Sequence, residues 1–144
     1  METNNRLHVL TYNLHGFKQG CEYLKDLSSF CDAILTPEHW LAPFDLDSLN
    51  DVDDNMICFA SSAMDNAIST NCLRGRPIGD LAIYVRNTLN NVKLIHVSKS
   101  YIIVQYEDIL LVNLYLPRTA TVQREEKFAG CLASIMNDTV DISV

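Results

Sequence analysis

The sequence predicts an α/β fold, and two observations support that prediction. Of the 144 residues, 48% are hydrophobic and 20% are charged, which is typical of a globular domain or a large piece of one. Strand-like and helix-like segments also alternate along the chain, without internal repeats and without a linker. We therefore expect residues 1–144 to form a single domain or a large part of one.

The first third of the chain has the pattern of a strand, a helix and a second strand. Residues 7–12 read as a strand that ends at Asn13. Cys21, Leu24 and Leu27 then recur at helical spacing, so one apolar stripe of this helix faces a sheet. Residues 32–36 are short and β-competent, and they are followed by a proline.

The remainder of the chain is predicted to be mostly β-structure. Residues 42–55 read as a solvated acidic loop, because their spacing fails the pattern of a calcium-binding loop. Residues 101–116 contain two β-rich runs around Glu107 and Asp108, which indicates a hairpin. The other predicted elements are strands at 56–61, 81–86 and 92–97, a helix that begins near Glu125 with Phe128, Leu132 and Ile135 or Met136 at helical spacing, and a strand at 140–144.

Charge and cysteine content restrict the classes of function. The formal charge is −7, and the nearest approach to a basic cluster is Arg74, Arg76 and Arg86, so a module that coats nucleic acid through lysine and arginine is disfavoured. An enzyme that binds phosphate through a bound cation is compatible with this charge, because the cation supplies the local positive charge. The five cysteines form no Cys-x-x-Cys pair and predict reduced thiols. With a polar N-terminus and no apolar run long enough for a bilayer, we expect an intracellular protein with no membrane partner, in either nucleus or cytoplasm.

Three stretches place polar side chains where a predicted strand ends, and such positions commonly carry sites in sheet-based folds. They are TYNLHG at residues 11–16, PEHWL at 37–41 and VNLYLP at 112–117. Each also has an ordinary structural interpretation, as turn chemistry, a solvated carboxylate or a core aromatic ring. The histidines show no spacing typical of zinc ligands, so a zinc site is disfavoured.

The order of four motifs adds a resemblance to a known family. TYNLHG, then DAIL followed by EHWL, then GRPIGD and VNLYLP together resemble the endonuclease/exonuclease/phosphatase superfamily. The resemblance is strongest to the endonuclease domains of non-LTR retrotransposon polyproteins, and it runs from Leu7 to Val144. It implies an α/β fold that is the N-terminal half of a four-layer α/β sandwich, left incomplete at this length.

The resemblance also implies the residues of an active site. Glu38 would be the metal-binding carboxylate, and Asn13 would lie beside both the metal and the scissile phosphate. Tyr115 would offer its hydroxyl to the phosphate. The implied cofactor is Mg²⁺, with Mn²⁺ as an alternative, bound weakly by so few protein ligands. The implied partner is DNA once the domain is completed, and the uncovered sheet predicts self-association.

The sequence departs from the family pattern in three respects. Thr36 and Pro37 precede Glu38, and because proline donates no hydrogen bond, the strand that presents Glu38 is expected to be altered or to end early. Asp80 replaces a glycine and is expected to disturb a close backbone approach. The family's later Asp-x-Asn and Asp-His motifs are absent from these 144 residues.

These departures leave three functions open. The first is a Mg²⁺-dependent DNA endonuclease of retroelement type that is inactive as this fragment. The second is a non-catalytic remnant or interaction module. The third is a phosphatase that acts on a small phosphoester.

Overall fold

A computed structural model describes residues 6–41, 43–62 and 80–114 of the chain, together with the helical positions 126, 129, 130, 132–134, 136 and 137. One α-helix, one 3₁₀ helix and seven strands are bounded within these residues. In chain order they are β1 (Val9–Thr11), α1 (Phe17–Ser28), β2 (Ala33–Pro37), the 3₁₀ helix (Pro43–Asp51), β3 (Met56–Ser61), β4 (Leu81–Arg86), β5 (Val92–Val97), β6 (Tyr101–Tyr106) and β7 (Ile109–Leu114).

The first sheet, sheet A, has four strands in the order β1-β2-β4-β3. Strand β1 runs parallel to β2 and aligns Leu10 with Ile34, whereas β4 runs antiparallel to both β2 and β3. The crossover through α1 makes the parallel pair possible, because parallel strands need a long connection. Strand β2 is therefore a central strand, hydrogen-bonded to a neighbour along both edges.

The second sheet, sheet B, is an antiparallel meander in the order β5-β6-β7. The hairpin predicted around Glu107 and Asp108 is confirmed as β6 and β7, which pair from Tyr106 with Ile109 at the turn. The turn contains no glycine, and Glu107 takes the positive φ (53°) in its place. A register shift between Leu94 and His96 places a bulge where β5 pairs with β6.

Helix α1 and the 3₁₀ helix cover the outer face of sheet A. Leu24 of α1 is fully buried in this outer core, together with Ile34 and Tyr84 of the sheet. Residues 43–51 were predicted to be a solvated loop, and this prediction is wrong. Leu46, Leu49 and Val52 recur every third residue, which matches the three-residue turn of a 3₁₀ helix, and they pack into the outer core.

A second core lies between the two sheets. Strand β7 contacts β2 and β4, and strand β6 contacts β4 and β3, so the sheets stack face to face. The packed side chains are buried members of strands β2, β4, β6 and β7: Ala33, Leu35, Leu81, Ile83, Val85, Ile102, Val104 and Leu111.

One polar side chain crosses this apolar space. Asn113 of β7 is buried, and its Nδ2 donates to the carbonyl oxygens of Thr36 (3.1 Å) and Ala82 (2.9 Å). Thr36 and Ala82 are direct partners in the pairing of β2 with β4. Asn113 therefore ties sheet B to the end of β2, two residues before Glu38.

The edge strands of both sheets expose apolar side chains that face the space between the sheets. Val9 of β1 is 44% exposed, although its partner Ala33 is fully buried in the inter-sheet core. Parity along the strands assigns four further exposed side chains to the same inner face: Ile57, Leu94, Val97 and Ile109. Within the described residues, this sandwich is too narrow to cover the inner faces of its own edge strands.

Several further predictions are settled by these residues. Cys21, Cys31 and Cys58 are free thiols, as expected. Leu132 and Met136 are helical as predicted, but their side chains are exposed. No helix among the described residues is long and apolar enough to cross a bilayer. The glycine-rich box at 75–79, Tyr115 and the strand predicted at 140–144 lie outside the described residues.

Candidate functional site

Two of the three predicted strand-end motifs meet at one end of sheet A. Because β1 and β2 are parallel neighbours, the residues that follow them emerge at the same edge of the sheet. Asn13 follows β1 and Glu38 follows β2. Tyr115 comes directly after β7 and lies outside the described residues, so its role in the site stays a prediction.

The segment after β1 is hydrogen-bonded to the segment after β2. Gly16 N–H donates to the carbonyl of Glu38 at 2.8 Å, and Phe17 N–H donates to that of His39 at 2.8 Å. Leu14 N–H donates to the carbonyl of Pro37 at 3.3 Å. The sheet-like pairing thus continues beyond the last ladder residues, and it holds the loop before α1 against the backbone of Glu38.

Glu38 is presented by a backbone with a positive φ of 60°. Its N–H donates to the carbonyl of Asp80 at 2.6 Å, and its side chain is 25% exposed. Strand β2 was expected to be altered or to end early because of Pro37; it ends at Pro37, still in register with Leu81, and the left-handed backbone follows at Glu38. Asp80, which replaces a glycine of the family pattern, makes this contact through its backbone carbonyl, and whether it disturbs a close backbone approach stays a prediction.

The side chain next to Glu38 is that of His15. Its Nδ1 lies 3.5 Å from Glu38 Oε2, and the imidazole is 68% exposed. Asn13 is exposed, and its Oδ1 accepts the N–H of His15 at 3.0 Å, which forms a local turn. The sequence patterns did not select His15, because its proximity to Glu38 arises from pairing between two loops rather than from ligand spacing along the chain.

His39 has a structural role in the same loop. It is fully buried, its Nε2 donates to the carbonyl of Ser61 at 2.7 Å, and its Nδ1 accepts the N–H of Leu41 at 3.0 Å. Burial lowers the pKa of His39 to about 4, because it disfavours the charged ring. Hydrogen bonds to the backbone of Ser61 and Leu81 raise the pKa, but by less than burial lowers it. Both ring nitrogens are therefore engaged by the backbone, and the neutral ring fixes the loop after Glu38 against the end of β3.

Gly16 and Trp40 form a close contact on the other side of this loop. A Cβ at Gly16 would lie 2.6 Å from Cε3 of the Trp40 indole, and Gly16 has a φ of 95°. His15, Glu38 and Trp40 also have positive φ values, of 49°, 60° and 58°. Left-handed backbone in non-glycine residues carries strain, and here it is concentrated where the two loops meet.

The donor atoms at this edge fit a weakly held divalent cation. Mg²⁺ often takes one or two protein carboxylates and fills its other positions with water and phosphate oxygens. Glu38 offers one partly exposed carboxylate, and Asn13 offers a carboxamide that already accepts one hydrogen bond. Within the described ranges, no group of three or more His, Cys, Asp or Glu side chains is placed to hold a metal.

Two further features lie away from Glu38. A groove of about 290 Å³ opens between α1 and the 3₁₀ helix, lined by Phe17, Cys21 and Val52 among others, and Glu38 does not line it. Arg86 lies at the opposite end of β4, where its guanidinium donates to the carbonyls of Ser28 and Cys31 at 2.6 Å. Arg86 is thus occupied at the end of α1 and is no phosphate ligand for this site.

No protein-family model matches this sequence, and no curated protein matches it. Solved structures do match. An AP endonuclease from Archaeoglobus fulgidus matches with a TM-score of 0.63 at 12% identity. The match covers 96% of this chain and 53% of the endonuclease chain. The 3′ phosphatase NExo from Neisseria, solved with a product DNA hairpin, has a TM-score of 0.67 at 13% identity, covering 94% and 54%. Human Nocturnin has a TM-score of 0.52 at 14% identity, covering 92% and 58%.

This chain has the endonuclease/exonuclease/phosphatase fold. The chain spans about half the length of the solved structures it matches, which is consistent with an incomplete domain. The predicted fold class is therefore confirmed. Since the identities are 12–14%, the likeness establishes the fold alone.

The contact between Gly16 and Trp40 predicts the effect of one added methyl group. We expect Gly16→Ala to lower the free energy of unfolding by roughly 2–4 kcal/mol. The alanine would be strained at this positive φ, and its Cβ would clash with the indole ring of Trp40. Gly130→Ala is the matched control, since Gly130 is helical and its Cβ would meet no atom within 4 Å. The control should gain about 0.5–1 kcal/mol in urea unfolding. Equal effects of the two substitutions would contradict this account of the loop.

The buried neutral His39 predicts a dependence of stability on pH. Its pKa is about 4 in the folded chain and about 6.5 when unfolded, so the unfolded state binds the proton first as pH falls. The contribution of His39 should be complete above about pH 6.5 and should be lost progressively down to about pH 4, by about 3 kcal/mol in total.

Urea unfolding between these pH values tests the prediction, alongside an NMR titration of the His39 ring. His39→Gln should flatten the pH dependence, whereas His8→Gln, at an exposed histidine, should leave it unchanged. A steep dependence that persists in His39→Gln would show that another group is responsible.

Proposed function

We propose that this chain carries the metal-binding half of a divalent-metal-dependent phosphodiesterase that acts on DNA, of the retroelement endonuclease type. The observation that carries the proposal is the position of Glu38. It is a partly exposed carboxylate directly after central strand β2, held by the loop after β1, in a fold that the chain shares with an AP endonuclease and with a 3′ phosphatase solved with DNA. The AP endonuclease and the NExo phosphatase, by their names and the bound hairpin, support DNA as the substrate class.

The proposed roles follow from donor chemistry. Glu38 would hold Mg²⁺, which would neutralise charge that develops on the phosphate during hydrolysis. Asn13 would orient a phosphate oxygen through its amide, and Tyr115 would do so through its hydroxyl. Among the residues that the structure describes, no group of three or more His, Cys, Asp or Glu side chains gathers at Glu38 to activate water, so we propose that the chain alone is inactive.

Metal-dependent DNA binding tests this function without requiring turnover. Fluorescence anisotropy with a labelled duplex oligonucleotide should show binding that strengthens with Mg²⁺, because the cation bridges Glu38 and the phosphate. Glu38→Gln should abolish the Mg²⁺ effect. Glu107→Gln removes the same charge from an exposed position in the β6–β7 turn and should bind as the unchanged chain does. Supercoiled plasmid should be nicked only at background level.

Three results would count against the proposal. Binding that ignores Mg²⁺, or a Mg²⁺ effect that survives in Glu38→Gln, would remove Glu38 from the site. Plasmid nicking that disappears in Glu38→Ala would confirm the site but refute the proposed inactivity. An inositol phosphate that binds with the same Mg²⁺ and Glu38 dependence, and better than the oligonucleotide, would favour the small-phosphoester alternative.

A second candidate function, that of an interaction module, is favoured by the exposed inner faces of the edge strands. Val9 and Ile109 lie on one flank of the sandwich, and Ile57, Leu94 and Val97 lie on the other. Unpaired edge strands with exposed apolar side chains are templates for pairing with another chain. We propose that the chain self-associates through one of these flanks.

Sedimentation velocity measures this association, and each flank has its own variant. The unchanged chain should sediment as a dimer or larger species. Lysine at an inner edge position blocks pairing, so either Val9→Lys or Ile57→Lys, two positions each 44% exposed, should restore the monomer and identify the flank. A monomeric unchanged chain, or association that survives both substitutions, would contradict the proposal.

A further inference from the structure

The distance between His15 and Glu38 suits two ligands of one ion better than a hydrogen bond. Good N–H···O bonds place their heavy atoms about 2.7–3.2 Å apart. His15 Nδ1 and Glu38 Oε2 are 3.5 Å apart. Two donors at about 2.1 Å from a shared cation lie roughly 3.0–3.5 Å apart when they subtend an angle between about 90° and 115°. The observed separation lies at the upper end of that range.

The backbone holds the two side chains in this arrangement. Asn13 Oδ1 accepts the N–H of His15, which fixes the left-handed conformation that histidine tolerates better than most residues. The next residue, Gly16, donates its N–H to the carbonyl of Glu38. The positions of both Cα atoms are therefore set by hydrogen bonds between the loops, while the exposed imidazole can still turn toward an ion.

We propose that His15 supplies a nitrogen ligand beside Glu38, and that the site therefore prefers Mn²⁺ over Mg²⁺. Mg²⁺ binds oxygen donors almost exclusively, whereas first-row transition metals accept imidazole nitrogen and bind such mixed sites more tightly. This inference rests on the proposed function only in taking Glu38 as the metal-binding carboxylate. It places His15 beside the Glu38-bound metal, where the family resemblance had implied only Asn13.

Electron paramagnetic resonance of the full 144-residue chain with Mn²⁺ tests the nitrogen ligand directly. Pulsed measurements on the Mn²⁺-loaded chain should detect coupling to an imidazole ¹⁴N nucleus, because the nitrogen is bonded to the ion. The coupling should disappear in His15→Ala and in His15→Asn, the latter being a residue that also tolerates a positive φ. The exposed His8 precedes β1, and His8→Ala is the matched control that should keep the coupling.

Binding affinities provide the second measurement. Loss of the free Mn²⁺ signal should show that His15→Ala weakens Mn²⁺ binding about tenfold or more, while Mg²⁺, measured by competition, changes less than about twofold. Glu38→Gln should weaken both ions. No ¹⁴N coupling in the unchanged chain, or equal losses for Mn²⁺ and Mg²⁺ in His15→Ala, would overturn the role of His15.

The same measurements separate the two proposals. If Glu38→Gln abolishes Mg²⁺ binding while His15→Ala leaves Mn²⁺ binding intact, the metal site stands and the nitrogen ligand is refuted. If Glu38→Gln leaves both ions bound, Glu38 is not the metal ligand, and the proposed function and this inference fail together.

Discussion

The candidate site depends on strand β2 being held from three sides. Strand β1 pairs with it in parallel, β4 pairs with it in antiparallel, and Asn113 reaches its Thr36 carbonyl from the other sheet. A strand that is buried and paired along both edges has little freedom, so the residue that follows it emerges at a defined point. Glu38 is that residue. Rigid scaffolds with functional groups on the adjoining loops are a general arrangement, because the loops tolerate the irregular backbone that a site requires.

The negative charge of the chain is compatible with phosphate binding at this edge of sheet A if a cation is bound there. A chain with a net charge of −7 repels a polyanion, and Arg86 is bonded to the end of α1 rather than presented to solvent. In the proposed function, a divalent ion at Glu38 would supply local positive charge at this edge of the sheet. The strained backbone of His15, Glu38 and Trp40 lies at the same edge. Backbone strain is common at functional sites, where the surrounding structure holds groups in a defined arrangement.

Periodicity and local turn chemistry predicted most of the elements, and they failed where long-range contacts decide the outcome. The bounds of β3, β4 and β5 matched, because short, largely apolar runs between polar segments are visible in the sequence. The 3₁₀ helix was missed because Leu46 and Leu49 within it, and Val52 just after it, are sparse among acidic residues. His15 was missed because its proximity to Glu38 depends on pairing between two loops. The strand order was not predicted either, because β4 lies between β2 and β3 and so pairs segments that are far apart in the chain. Glu38 was singled out by its position after a predicted strand, and the family resemblance gave it a metal-binding role that stays a prediction.

Asn113 determines the relative alignment of the two sheets. Apolar contact is non-directional, so two flat hydrophobic faces could slide past each other by a fraction of a residue at little cost. A carboxamide that donates to two particular carbonyls is satisfied at one offset only. A shift of one sheet against the other would leave the buried amide nitrogen without its acceptors, and apolar contacts do not compensate for that loss of free energy. The Asn113 amide therefore fixes the offset between the two sheets, and it sets where the end of β7 lies relative to β2.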